Sequence, residues 1–187
     1  MFDEGCFERW GKSYSDVLVL DGTYVNQRCT KEIFEELRKE DPDLHVAVFA
    51  MNQAEVDKAI SKPYVMIGSD CGFVNRHGHP RGAGTFPKVI REYVREKKLL
   101  TLIEALRKMT VLTAERVGLD GKGRIKEGCD ADIVIFDENT ITDKATFDNP
   151  TLTPEGIDYV LVGGKVSADH GNVKSDSNGK YIRYKDR

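Results

Sequence analysis

Cysteine is scarce in these 187 residues, and Cys6, Cys29, Cys71 and Cys129 stand too far apart to form any C-x-x-C pair. That spacing argues against a zinc ribbon and against a disulfide framework, and it makes a reducing cytoplasm the expected setting. No apolar run approaches the roughly 20 residues that a membrane-spanning helix needs. The start, Met1-Phe-Asp-Glu-Gly-Cys6, lacks the basic-then-apolar order of a secretory signal. Charge of one sign is also missing: a formal net charge of -3 gives no electrostatic case for nucleic acid or for a membrane as partner. Neither an internal repeat nor a low-complexity tract is visible. What remains is an ordinary composition, 40% hydrophobic and 32% charged, enough for one domain or one and a half.

The apolar pattern predicts an α/β fold. Asp16 to Gly22, His45 to Ala50 and Tyr64 to Ser69 are short continuous apolar runs, the pattern of strands buried on both faces. Between them lie two helices. Thr30 is placed to cap the first, with Ile33, Phe34 and Leu37 as its apolar stripe, and Pro42 marks its end. Asn52 is placed to cap the second, which Pro63 stops. Strand, helix, strand, helix, strand predicts a parallel sheet. The stretch from Asp70 to Pro87 is rich in glycine and histidine and reads as a long loop. Helices are predicted over 88–98 and 102–117, the second ended by Gly118. After it the texture turns to β: Asp132–Asp137 and Ile157–Val162 as strands, then Gly163-Gly164 as the turn of a hairpin continuing to Ala168. From Asn172 to the end the chain is polar and expected to fray. Trp10 and Tyr14 fall in an irregular lead. The chain thus divides into an α/β part, 1–118, and a small β-rich part, 119–187, and neither reads as complete. Three parallel strands do not close a barrel of eight strand–helix units.

Chemistry concentrates after the third run. Asp70 follows Ile67-Gly-Ser69, and a carboxylate at the C-terminal end of a parallel strand faces the side where α/β enzymes build their sites. Two of the four histidines follow in Arg76-His-Gly-His-Pro-Arg81. An aspartate can take a proton from metal-bound water and return it to a leaving amine. Histidine can ligate metal or hydrogen-bond an oxyanion, and arginine can grip a carboxylate through two parallel bonds. The plainer alternatives are that Asp70 caps a turn or pairs with an arginine, and that Arg81 sits in a surface ion pair. Cys71 reads as a small packing residue in preference to a reactive thiol or a metal ligand. His45 and His170 read as structural or exposed.

The order of motifs is specific. Ile67-Gly-Ser-Asp70, His77-x-His-Pro-Arg81, Gly84-Thr-Phe-Pro87, Tyr93-Val-Arg-Glu96, Leu106-Arg-Lys-Met-Thr110 and Ala114-x-Arg116 resemble the last barrel strand and the following loop and helices of the D-aminoacylases. These are the N-acyl-D-amino-acid deacylases of the amidohydrolase superfamily. Gly128-x-x-Ala-Asp132, Phe136-Asp137, Ala145-Thr-Phe147, Gly156-Ile-Asp158 and Val162-Gly-Gly164 continue the likeness from about residue 16 to the end. The resemblance implies the final strand–helix units of a metal-dependent (β/α)8 barrel over 1–118 and part of a small β-sandwich over 119–187. It implies a hydrolase of linear amide bonds acting on a small N-acyl amino acid. Asp70 matches the general base and metal-site aspartate, Arg81 the arginine that holds the substrate carboxylate, and His77 and His79 the loop histidines at the substrate.

Departures accompany the likeness. Gly78 stands where proline is common, which loosens the loop; Cys71 stands where glycine is usual; Gly82-Ala83 replace bulkier residues, with a different pocket shape expected. The family's first-strand H-x-H has no counterpart. Zinc is implied for the intact enzyme, but a catalytic zinc needs about three protein ligands and this chain supplies one. The expectation is therefore a chain that holds no metal and turns over no substrate alone, with an N-terminal barrel portion as its missing partner and self-association through open sheet edges. The alternative is an inactive fragment serving as a structural or assembly unit. A self-contained metal site from Asp70, His77 and His79 is a third possibility.

Overall fold

Val17, Leu18 and Val19 are all buried and form β1 (Val17–Val19). The computed structural model describes residues 5–182. A five-residue helix, α1 (Cys6–Trp10), precedes β1 where an irregular lead was expected, and Phe7 packs edge-on to Tyr14 and Phe34 at 4.8 and 5.3 Å. Beyond β1 the chain turns and runs back along it: Val19 N–H donates to Gln27 O, and Cys29 N–H to Val17 O. Only then does α2 (Lys31–Glu40) begin, capped by Thr30, whose hydroxyl accepts from Ile33 N–H.

That return segment decides the sheet. Strand, return, helix and strand make three reversals instead of two, so β2 (Val46–Val48) pairs with β1 antiparallel, with Val17 opposite Val48 and Val19 opposite Val46. The parallel arrangement expected from the strand–helix alternation is corrected here. Cys29 is buried with β1 under Ile33, Phe34 and Leu37, so the predicted stripe of α2 does face the core. The third helix, α3 (Gln53–Ile60), is capped by Asn52 as expected.

The third predicted strand is also corrected. Residues 64–69 form no regular element, and among the described residues no strand pairs with them. Ile67 packs against the cluster of Ile60, Val89, Tyr93, Leu100 and Ala105. The expected loop 70–87 holds ordered structure instead. β3 (Phe73–Val74) and β4 (His77–Gly78) form a hairpin over Asn75 and Arg76, whose φ values of 48° and 66° suit a type I′ turn. Next comes α4 (Arg81–Lys88), which runs into a π-helical stretch, Val89–Glu96, that buries Val89, Ile90 and Tyr93.

One helix expected over 102–117 is two. Thr101 caps α5 (Leu102–Met109) in a reciprocal pair with Glu104, Thr110 breaks the run at φ -130° and ψ -92°, and α6 (Val111–Arg116) follows. The C-terminal part forms a four-stranded antiparallel sheet: β5 (Ile133–Phe136), β6 (Ile157–Val162), β7 (Lys165–Asp169) and β8 (Asn172–Val173), in that order. The Gly163-Gly164 hairpin stands where it was predicted, and β8 falls where fraying was predicted. The β5–β6 connection reaches back to the first part. Arg91 pairs with Asp143 at 2.7 Å, Arg95 donates to the Glu138 and Ile141 carbonyls, and Phe147 packs on Leu18, Leu20 and Ala47. No helix among the described residues is long and apolar enough to cross a membrane.

Candidate active site

Backbone strain and arginine bonds together place Asp70. It takes a positive φ of 43°, uncommon for a residue with a side chain, at the end of the irregular segment. Arg81, the first residue of α4, turns back over it. Its Nε donates to the Asp70 carbonyl at 2.8 Å, and Nη2 lies 3.4 Å from the Asp70 carboxylate. That carboxylate is otherwise open to water, with a side chain 97% exposed. The pair joins the two residues given the central roles in the sequence, and it also satisfies the plainer expectation of an aspartate beside an arginine.

His79 stands next to them. Its Nδ1 accepts from Arg81 N–H at 3.1 Å, and its ring meets the Phe147 ring edge-on at 5.0 Å. Burial, with Arg81 and Lys88 adding repulsion, pushes its pKa down to about 4, so the ring is neutral at pH 7 and Nδ1 is free to accept. His77, on β4, buries an Nδ1 that has no protein partner. The turn between the two histidines needs glycine. Gly78 has φ 154°, and a Cβ there would lie 2.6 Å from the Gly72 carbonyl. Glycine at 78 therefore closes the hairpin, where the sequence suggested a looser loop. Gly82 leaves room for Phe73 and Cys71, whose atoms would lie within 2.8 Å of a Cβ. The Cys71 thiol donates to the His79 carbonyl at 3.2 Å, a packing and bonding role.

Beside the Asp70–Arg81 pair lies a cleft of about 220 Å³ between β2 and the β3–β4 hairpin, which Arg81 lines and Asp70 does not. Its walls include His77, His79, Arg81 and Cys71, and also Asp21 and His45, which the sequence reading did not connect to the site. His45 Nδ1 lies 2.9 Å from Asp21 Oδ2, and Asp21 Oδ1 is buried without a partner in the protein. The antiparallel pairing brings them together, since Leu20 N–H donates to the His45 carbonyl. In a parallel sheet the end of β1 and the start of β2 would lie at opposite edges, and that is why no sequence signal marked them.

A metal ion does not fit this set. Among the described residues no three His, Cys, Asp or Glu side chains converge on one point, so Asp70, His77 and His79 do not form a metal site by themselves. The chain offers single donors: an exposed carboxylate, a histidine nitrogen already accepting a hydrogen bond, and a buried one.

Comparison with known proteins gives this geometry a context. Residues 17–168 match the Amidohydrolase family. The chain is 47% identical over 116 residues to an N-acyl-D-glutamate deacylase of Alcaligenes xylosoxydans xylosoxydans, a match covering 62% of this chain and 24% of that protein. An N-acyl-D-aspartate deacylase of the same organism is 40% identical over 134 residues, 72% of this chain and 27% of that protein. Among solved structures, a D-aminoacylase variant in complex with copper chloride superposes with a TM-score of 0.75 at 30% identity, over 89% of this chain and 37% of that one. An N-acyl-D-glutamate deacylase from Bordetella bronchiseptica, complexed with zinc and a phosphonate mimic of the tetrahedral intermediate, superposes at 0.70 and 30% identity, over 88% of this chain and 38% of that one. The match thus spans about a quarter of the curated relatives' length.

Proposed function

The chain belongs to the amidohydrolase family, and from that premise we propose that it is the C-terminal part of an enzyme that removes the acyl group from N-acyl-D-amino acids. The observation that carries this reading is the Asp70–Arg81 pair, whose arginine lines the cleft together with His77 and His79. It lies inside the region that matches the family. Asp70 is the group that would accept a proton from the attacking water and return it to the departing amine. Its side chain is 97% exposed, so water and substrate can reach the carboxylate. Arg81 spends Nε and Nη2 on Asp70, and Nη1 remains to hold the substrate carboxylate. His77 and the neutral His79 line the space beside Arg81, where an acyl oxygen could be met by a ring N–H.

Zinc in the intact enzyme would polarise the acyl carbonyl, with Asp70 as this chain's share of the ligands and the others supplied by polypeptide outside it. On this reading residues 1–118 contribute the last barrel units and 119–187 part of a β-sandwich. With β1 and β2 antiparallel, the barrel contribution on this reading is the 64–69 segment and the helices after it. That segment would find its strand partner in the barrel portion outside this chain, and the chain by itself would self-associate through the edges left open.

The test is a chimera in which residues 17–168 replace the matching stretch of the Alcaligenes N-acyl-D-glutamate deacylase. The chimera is expected to hydrolyse N-acyl-D-amino acids and to lose that activity on Asp70→Asn, while the 187-residue chain alone shows neither bound zinc nor turnover. A folded, zinc-loaded chimera without hydrolysis, or one whose Asp70→Asn form keeps its rate, refutes the proposal. The chain would then be a structural or assembly unit.

A further inference from the structure

Lys108, on α5, is the one charged side chain buried among the described residues, 3% exposed. Its ammonium donates to the main-chain carbonyls of Lys62 and of Val65, the second at 3.0 Å. Both acceptors are neutral, and burial pushes the pKa of the ammonium down. Keeping an ammonium out of water is costly. If stability were its whole role, an apolar side chain of the same volume would serve as well.

The same residue also receives the segment through its backbone. Ile67 N–H donates to the Lys108 carbonyl at 3.2 Å, and the Thr113 hydroxyl donates to it at 3.0 Å. The break at Thr110 ends α5 there, and the last carbonyls of a helix must be met from outside it. Arg107 adds a longer contact, 3.5 Å, to the Pro63 carbonyl. The motif Arg107-Lys-Met-Thr110 therefore grips residues 62–67, with which no strand pairs among the described residues. At the far end Arg81 grips the Asp70 carbonyl.

We propose that Lys108 is a positioning residue for Asp70: by fixing the course of residues 62–67 it sets where the Asp70 carboxylate stands. The catalytic consequence rests on the reading of Asp70 given above, whereas the structural consequence does not. Hydrogen exchange of the Ile67 amide, followed by NMR in the full chain, tests it directly. In Lys108→Met and Lys108→Gln that amide is expected to exchange about tenfold faster or more, with the β1–β2 amides unchanged. Lys108→Arg is expected to restore most of the protection, because a guanidinium can donate to the same two carbonyls. Unchanged Ile67 exchange in both the Met and Gln variants overturns the proposal. So does an equal acceleration at every amide, which would make Lys108 a general stabilising residue.

In the active chimera, Lys108→Met is expected to lower kcat about tenfold and to leave KM within about twofold, the pattern of a misplaced proton-transfer group. An unchanged kcat overturns the catalytic half. Full turnover in Asp70→Asn would refute the Asp70 reading alone, and the Ile67 exchange would still decide whether Lys108 holds the segment.

Discussion

Two apolar runs in this chain, Val17-Leu-Val-Leu20 and Val65-Met-Ile67, look alike in sequence and fold differently. The first enters a ladder on which β2 and the returning residues 26–29 both pair, and its side chains are buried. The second enters no ladder among the described residues and hangs from a helix end and a buried ammonium. An apolar run specifies that something will cover it, and the rest of the chain decides whether the cover is a strand or a helix. The first region is built for stability, whereas the second carries the carboxylate.

Substitutions can break that contrast. The largest effect belongs to Asp70→Asn, expected to lower kcat of the active chimera by about 10² to 10⁴. The melting temperature should hold, since the carboxylate is exposed and its 3.4 Å ion pair is a surface one. A kcat unchanged, or a large fall in melting temperature, would reverse the two regions' roles. Next comes Val19→Ala, expected to cost about 2 kcal/mol in urea unfolding, against less than about 0.5 kcal/mol for the exposed Met66→Ala. Equal costs would erase the difference.

A pH titration sharpens the comparison at the cleft. The folded-state pKa of His79 near 4 lies below its unfolded value of 6.5, so between those values the unfolded chain binds more protons. Stability is therefore expected to fall as pH drops from 6.5 towards 4, and His79→Asn should flatten that slope in urea midpoints taken across the window. A slope unaffected by the substitution would place the acid sensitivity elsewhere. Thr30→Ala, which removes the cap of α2, is expected to cost about 1 kcal/mol by the same measurement, half the cost of Val19→Ala.

How much of this was legible follows from how local each signal is. Thr30 and Asn52 cap the helices they were expected to cap because a cap needs only a few residues of chain. Gly163-Gly164 fixes its own hairpin for the same reason. The direction of β2 was hidden because it depends on the return of residues 26–29, four residues without a pattern of their own. α4 was hidden by Gly82, Gly84 and Pro87, poor helix formers that this helix tolerates while Gly84 and Pro87 are buried. At the site, Asp70, Arg81 and His79 lie close enough in sequence to be seen as a group, and the structure brings them into contact. Asp21 and His45 reach the cleft through the antiparallel register, and Lys108 reaches the Asp70 segment across more than 40 residues. No spacing rule reports contacts of that length.

The grip of α5 on residues 62–67 also has a consequence for shuffling and inheritance. Two stretches of sequence, some 40 residues apart, behave as one exchangeable block, because each satisfies hydrogen bonds that the other leaves open. A crossover with a relative that falls between residues 68 and 102 splits the block and unites halves that were never selected together. One that falls before residue 61 or after residue 118 passes it on whole.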